Sequence, residues 1–361
     1  VTRLVISGYY GFGNAGDEAM LVSMVRSFRA LEPAVELTVL SADPARTRAN
    51  HPVTSIGRLD LLAIAMALGR ADALISGAGS LLQDVTSRRN VYYYLGVMGL
   101  ALAMGKPLVV YANGIGPLRA RAARRLTAGI LARARLITVR DEQSLQELQA
   151  MGVQGILSAD PALALEPPGP ERGRAVLREL GGGGDGPLIL VAPRHFPRSG
   201  RTFAALAGAA DYLVRMSRAR VLFVPMQLPE DGQAASAIRE RMREPAMELR
   251  ETLSPADLLS LTGQAQVLLG VRLHALIFAS VMGVPAVGIA YDPKISGFTA
   301  AVGLPSLAPG DLRAEDVLIE VDRMLREGPA IRHELVARVR TLREQAEAGA
   351  RLTMDSLGRK T

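Results

Sequence analysis

Twice along the chain, a short apolar run rich in β-branched residues gives way to a glycine-bearing or polar turn and then to a stretch of helical periodicity. In the first half "RLVISG" passes through "GYYGFGNAGDEAM" into the amphipathic "EAMLVSMVRSFRAL". It is followed by the strand-like "VELTVLS", "DALISGAGSLLQD" and "PLVVYANGIGPL", and then by "LITVRDEQSLQEL", a strand, a polar turn and a helix. Strands that alternate with helices in this way predict a parallel sheet covered on both faces. The pattern breaks at residues 166–187, "EPPGPERGRAVLRELGGGGDGP", whose proline and glycine density suits a connection. It restarts with "PLILVAPRH", "RVLFVPMQ", "AQVLLGVRLHALIFASVMG" and "VPAVGIAYDPK", and 313–358 reads as charged helix broken near Gly328-Pro329. With 361 residues, more than one ordinary core is expected. The expected architecture is α/β, with two Rossmann-like domains of parallel sheet facing across a cleft. The first covers residues 1–168, the second 185–330, and a helical segment covers 331–361.

Composition narrows the chemistry. There is no cysteine, which excludes disulfides, thiolate nucleophiles and cysteine-ligated metals. The four histidines, His51, His195, His274 and His333, show no metal-ligand spacing, and no Asp-x-Asp pair is present. A mechanism without a metal is expected. The longest apolar run, 91–105, is shorter than the roughly 20 residues of a bilayer span, and the first residues read directly as a strand rather than a secretory signal. A soluble, cytoplasmic protein is expected. A net charge of +7 attracts nucleic acid, membrane surfaces and acidic small molecules alike, but with 4% aromatic residues and no stacking motif nucleic acid is not expected as a partner. "RARAARRLTAGILARAR", residues 119–135, holds six arginines and no acid, and is either a solvated helix face or a contact with an anionic membrane.

The first loop contains Gly11-x-Gly13-x-x-Gly16 after a strand and before a helix, the spacing of a dinucleotide turn, and Asp43 ends the second strand where a ribose-binding acid would stand. Against that reading, Asp17 and Glu18 put two carboxylates in the first helical turn, where a pyrophosphate would sit. They are either capping acids or the acidic part of a different site. "GAGS" at 77–80 and "NGIG" at 113–116 place glycines at two further strand ends, either as ordinary turns or to let a ligand approach the backbone.

Ligands of such sheets bind beyond the carboxyl ends of the strands. Standing there are Asn14, Asp17, Arg140, Arg194, His195, Gln227, Arg272, His274, Asp292 and Lys294, a set rich in cations that suits phosphate and carboxylate. Arg272-Leu273-His274 joins a buried strand to an apolar helix, and Lys294 follows a strand end in a turn set by Pro293. Arg140 is placed either to clamp a carboxylate or to pair with Asp141 or Glu142.

"GYYGFGNAGDEAML", "ITVRDEQSL" and "VRLHALIFASVMGVPAVGIAYDPKISGF", in this order, resemble the polysaccharide pyruvyltransferase family, in particular the bacterial branch acting on cell-wall polymers. The resemblance spans roughly residues 3–325 and implies a fold like that of the GT-B glycosyltransferases. It further implies transfer of the enolpyruvyl carbons of phosphoenolpyruvate, a co-substrate, onto a sugar, giving a cyclic pyruvate ketal and phosphate without cofactor or metal. The implied acceptor is N-acetylmannosamine of a lipid-linked secondary cell-wall polymer precursor, whose ketal is read by S-layer homology domains. Its donor-site arginine matches Arg140, its Arg-Leu-His motif Arg272, Leu273 and His274, its downstream lysine Lys294, and its first-loop acid Asp17. In that chemistry His274 is the general acid, protonating either carbon or phosphate. Asp17 accepts the hydroxyl proton and Asn14 orients the sugar. Two alternatives share this architecture: a nucleotide-sugar glycosyltransferase and a non-catalytic glycan- or lipid-binding module.

Overall fold

The computed structural model describes residues 1–85 and 88–358. The chain divides into two compact units, Val1–Ala164 with Leu342–Thr361, and Leu165–Thr341.

Unit 1 opens with β1 (Arg3–Tyr10), α1 (Ala15–Leu31), β2 (Glu36–Ser41), α2 (Pro44–Asn50), β3 (Thr54–Gly57) and α3 (Leu61–Arg70). It continues with β4 (Ala73–Ser76), β5 (Gly79–Leu82), α4 (Arg88–Ala103), β6 (Leu108–Ile115), α5 (Arg121–Leu131), β7 (Leu136–Val139), α6 (Glu142–Gln149) and β8 (Ile156–Leu157). The sheet order is β3-β2-β1-β4-β6-β7-β8 with β5 beside β6, and every pairing is parallel. All eight residues of β6 are buried, as a parallel strand covered on both faces requires. Helices α3, α4 and α5 cover one face together: Ile64 and Leu68, Tyr94, Leu95 and Met98, and Ala123 and Leu131 belong to one core layer. Helix starts follow their capping residues, with Asn14, Asp43, Asp60 and Asp141 accepting from first-turn N–H groups of α1, α2, α3 and α6.

Unit 2 begins with α7 (Glu171–Glu179), β9 (Leu188–Ala192), α8 (Gly200–Ser217), β10 (Arg220–Phe223), α9 (Glu230–Arg239), β11 (Met247–Glu248) and α10 (Pro255–Thr262). Then come β12 (Val267–Gly270), α11 (Leu273–Val281), β13 (Ala286–Ile289), α12 (Pro293–Val302), β14 (Ser306–Leu307), α13 (Ala314–Arg326) and α14 (Gly328–Ser356). Its sheet, β11-β10-β9-β12-β13-β14, is again wholly parallel. In both units the chain winds outward from the first strand, then returns to its other side, which is Rossmann order. The switch points lie between β1 and β4 and between β9 and β12.

The unit limits differ from those expected at the proline- and glycine-rich segment 166–187. It carries α7, which packs on α10: Gly173 N–H donates to Ser260 Oγ at 2.8 Å, and Ser260 Oγ–H donates to Gly169 O at 2.6 Å. A Cβ at position 173 would stand 2.2 Å from Ser260 O, so this glycine serves close packing rather than a free connection. The expected separate segment 331–361 is shared between the units at Thr341 and Leu342. In unit 1, Ser158 Oγ donates to Gln345 O at 3.1 Å and Arg343 Nε to Leu163 O at 3.2 Å. Residues 359–361 of that segment lie outside the described residues. Among the described residues no helix is long and apolar enough to cross a membrane.

Two glycines make opposite forecasts. Gly173→Ala is expected to destabilise by about 1–3 kcal/mol through overpacking against Ser260, despite alanine's better helix propensity. Gly96→Ala, exposed within α4 with nothing within 4 Å of its Cβ position, is expected to stabilise by roughly 0.5–1 kcal/mol. Urea unfolding followed by circular dichroism measures both. Equal midpoints for Gly173→Ala and the parent would show that α7 and α10 are not closely packed.

Candidate functional site

The loop after β1 is built around its own side chains. Gly11 and Gly13 take φ of +78° and +72°, which only glycine adopts without strain. Gly11 N–H donates to Glu18 Oε1 at 2.9 Å, and Glu18 Oε2 lies 3.1 Å from His51 Nε2 in a largely buried pair. Asn14 Oδ1 accepts from the N–H of Gly16 at 3.0 Å and of Asp17 at 3.3 Å. Asp43, the candidate ribose acid, accepts from Arg46 N–H at 3.0 Å as the cap of α2. A pyrophosphate at the start of α1 would therefore meet a site already filled by a carboxylate and an amide of the same loop.

The other glycines at the sheet edge are likewise approached by the protein itself. A Cβ on Gly77 would stand 2.3 Å from the Tyr10 hydroxyl, and one on Gly79 (φ +123°) 3.1 Å from Asp17 Oδ1. A Cβ on Gly114 would stand 3.0–3.1 Å from Ser80 Oγ and from two nitrogens of Arg140. Asn113 ties the neighbouring strand ends by donating from Nδ2 to Gly77 O at 2.6 Å and Ser76 O at 3.0 Å.

Asp17 and Arg140 belong to this edge. The Arg140 side chain is 4% exposed. Its Nη1 donates to Asp160 Oδ2 at 3.0 Å, its Nη2 donates to Ser80 Oγ at 2.9 Å, and its Nε lies 3.4 Å from Asp141 Oδ2. Burial works against its charge but is outweighed by Asp160 and Asp141, with Asp17 adding, so its pKa stands above the usual arginine value. Burial first, and then Asp17, push the Tyr10 phenol well above its ordinary pKa, which keeps it a neutral hydroxyl.

In unit 2 the switch point lies beside Arg272. Buried β12 delivers the chain to Arg272 in extended conformation at the N-cap of α11, where it offers no side-chain cap to the helix. Its guanidinium instead grips Asp231 at the start of α9. Nε donates to Oδ2 at 2.8 Å and Nη2 to Oδ1 at 2.5 Å, with both side chains buried. Asp231 Oδ2 also accepts from the N–H groups of Met226 and Gln227 at 3.1 and 3.0 Å, so one carboxylate joins the ends of β10 and β12. Arg272 Nη2 reaches Gln227 Oε1 at 3.5 Å, the long limit of a hydrogen bond, while Nη1 makes no hydrogen bond among the described residues. His274, half-buried, and Leu273, buried, form the first turn of α11.

After β13, Asp292 caps α12 by accepting from Lys294 N–H at 3.1 Å, and its Oδ2 lies 3.2 Å from Lys294 Nζ. Arg194 stands over the Tyr291 ring at 5.6 Å and Phe196 stacks on that ring at 4.9 Å. Burial raises the Tyr291 phenol pKa, opposed by Arg194 and Arg272. His195 packs edge-on against Phe203 at 5.1 Å.

The structure thus groups Asn14, Asp17 and Arg140 at the strand ends of unit 1. Arg272, Leu273, His274 and Lys294 stand at those of unit 2, so the arginine that the resemblance assigns to the donor lies in a different unit from the rest of the donor set. Arg140, Arg272 and Lys294 each have a carboxylate of the protein within 3.2 Å. Sequence reasoning weighed Asp141 as a partner of Arg140, but missed Ser80, Asp160 and Asp231. The signal for Asp231 is slight: an acid at a helix start, 41 residues from its arginine.

A family model described as polysaccharide pyruvyl transferase matches residues 14–293. No curated protein matches the chain. Among solved structures, the chain is similar to Anabaena Alr3699/HepE in complex with UDP-glucose, with 10% identity and a TM-score of 0.69 over 99% of this chain and 100% of that one. It is also similar to the UDP-GlcNAc 2-epimerase of Neisseria meningitidis bound to UDP-GlcNAc, with 10% identity and a TM-score of 0.65 over 99% of each chain. A glycosyltransferase from Rickettsia africae matches at 9% identity and a TM-score of 0.66, over 100% of this chain and 99% of that one. At such identities the likeness is one of fold, the two-domain α/β architecture of GT-B proteins.

The two ion pairs of unit 2 separate by burial. Asp231→Ala strands Arg272 without a counter-charge and is expected to cost about 3–5 kcal/mol. Asp292→Ala removes a partly exposed pair and one helix cap, for about 1 kcal/mol. Denaturant titration of the two variants measures the difference; equal losses would show that Asp231 does not hold a buried charge.

Proposed function

Because the chain belongs to the polysaccharide pyruvyl transferase family, we propose that it transfers the pyruvyl group of phosphoenolpyruvate to a sugar as a cyclic ketal. The acceptor on this reading is N-acetylmannosamine of a lipid-linked cell-wall polymer precursor, met at the cytoplasmic side of a membrane. The family match across residues 14–293, which contains Asn14, Asp17, Arg140 and the Arg272–His274 turn, is the observation that carries the proposal.

The chemistry asks for few groups. A sugar hydroxyl adds to C2 of phosphoenolpyruvate while C3 gains a proton and becomes a methyl group. The C2–O bond to phosphate then breaks, and a second hydroxyl closes the ketal. Of the two hydroxyl protons, one balances the proton gained by C3 and the other leaves with phosphate. Arg272 suits the donor because Asp231 fixes one edge of the guanidinium and leaves Nη1 for an anion. Lys294 adds a second cation, and Leu273 gives the first turn of α11 its buried footing. His274 supplies the proton, to carbon or to the departing phosphate. Asp17 accepts the hydroxyl proton and Asn14 orients the sugar. Arg140 acts by charge and by holding the strand ends around Asp17, since its nitrogens already face Asp160, Ser80 and Asp141.

Phosphate release from phosphoenolpyruvate in the presence of a glycan acceptor tests the proposal. Turnover of a nucleotide sugar instead would make the chain a glycosyltransferase, and no turnover of either would favour a binding module. His274→Ala is expected to lower kcat by about 10²–10⁴-fold with donor affinity nearly unchanged. Arg272→Lys is expected to weaken the donor by about tenfold. Calorimetric titration with phosphoenolpyruvate beside the phosphate assay separates the two effects, and near-parent turnover in His274→Ala would remove it as the acid.

A further inference from the structure

Helix α3, "LLAIAMALGR", is apolar all round yet buried on one side only. Ile64 and Leu68 enter the core, while Leu61 and Leu62 are 69% and 71% exposed, Met66 is 52% exposed, and Leu59 just before the helix is 76% exposed. Tyr92 of α4 and Leu126 of α5 are exposed as well, and eight of the fifteen exposed large apolar side chains among the described residues fall between 59 and 126. Because α3, α4 and α5 share one core layer beneath them, their opposite sides form one outward face of unit 1.

Charge is segregated along the same stretch of chain. Residues 58–135 contain eleven basic and three acidic residues, a surplus of eight where the whole chain carries +7. From 85 to 140 there is no Asp or Glu at all. The three acids of the stretch are engaged with backbone N–H groups: Asp60 caps α3, Asp72 accepts from Arg3 N–H at 2.7 Å, and Asp84 accepts from the N–H groups of Arg119 and Ala120 at 2.8 and 2.7 Å. Glu147 of α6 takes Arg124 at 2.9 Å, while Arg119, Arg121, Arg125, Arg133 and Arg135 are exposed.

We propose that the α3–α4–α5 face of unit 1 docks on an anionic lipid bilayer, with the leucines of α3 entering the headgroup boundary and the arginines around α5 holding lipid phosphates. Exposed leucines on α3 and exposed arginines around α5, with few acids between residues 58 and 135, are the pattern of an interfacial helix surface. A second copy of the chain fits less well, because a two-fold contact would bring together two faces of the same positive sign. Nucleic acid fits less well because leucines offer nothing for bases to stack on. The inference rests on the reading above in that a lipid-linked acceptor gives such docking its purpose; vesicle binding itself is read without any transfer.

The full chain is to be sedimented with vesicles of phosphatidylcholine alone and of phosphatidylcholine mixed with phosphatidylglycerol. Binding is expected to be at least about tenfold stronger to the anionic vesicles and to weaken with salt. The pair Leu61→Ser with Leu62→Ser, and separately Arg121→Ala with Arg125→Ala, are each expected to weaken it by about tenfold. Phosphate release with a lipid-free acceptor is expected to stay at the parent level in both. Absence of binding, equal binding to both vesicle types, or indifference to both pairs of substitutions overturns the proposal. So does a dimer that the leucine pair dissolves, or tighter binding to duplex DNA than to anionic vesicles. Failure of pyruvyl transfer with vesicle binding intact would refute the catalytic reading and leave the docking face standing.

Discussion

Strands that run parallel cannot be joined by tight turns, so the chain must leave each sheet at one edge, cross over its face and re-enter at the other edge. In both units every strand pairing among the described residues is parallel. The crossover helices cover the sheets, and the carboxyl ends of the strands become the only edge at which one strand after another hands the chain to a loop and then a helix start. Every candidate residue stands at that edge for this reason. At such an edge the backbone N–H groups of the loops need acceptors, and here carboxylates supply many of them: Glu18 at Gly11, Asp84 at Arg119 and Ala120, and Asp231 at Met226 and Gln227.

These carboxylates also govern the cations. Buried Arg140 and Arg272 carry charge in places where burial alone would disfavour it, and Asp160 and Asp231 make that possible. An arginine held along one edge by a fixed carboxylate loses little freedom when its other edge meets an anion. On the proposed function, that is the sense in which the Asp231–Arg272 pair prepares a binding group instead of merely neutralising one.

Much of this was legible in the sequence because its causes are local. Apolar runs such as "LVIS" and "VLLG" could only be buried strands once helices alternated with them, and the break near Gly328 separates α13 from α14. The edge strands β8, β11 and β14, two residues each, were invisible because they have no apolar run of their own. The segment 166–187 misled for a related reason, since the same glycine that suits a free connection also suits α7 packing on α10. Arg140, Arg272 and Lys294 were legible as cations at strand ends, but Asp160 and Asp231, 20 and 41 residues away, are paired with theirs only by the fold. From the sequence, the glycines of 77–80 and 113–116 suit either the approach of a ligand or ordinary turns. In the structure the space beside them is taken by Tyr10, Asp17 and Arg140.

The enclosure of Arg140 has a consequence for how sequences of this kind can drift. The guanidinium occupies the space a side chain at 114 would need, and Ser80 and Asp160 take its two ends. A larger residue at 114 evicts the arginine. Loss of the arginine leaves a buried carboxylate, and loss of the carboxylate leaves a buried cation. Each of these single exchanges passes through a worse protein, so a change at Gly114, Arg140 or Asp160 is expected to be tolerated only together with changes at the others.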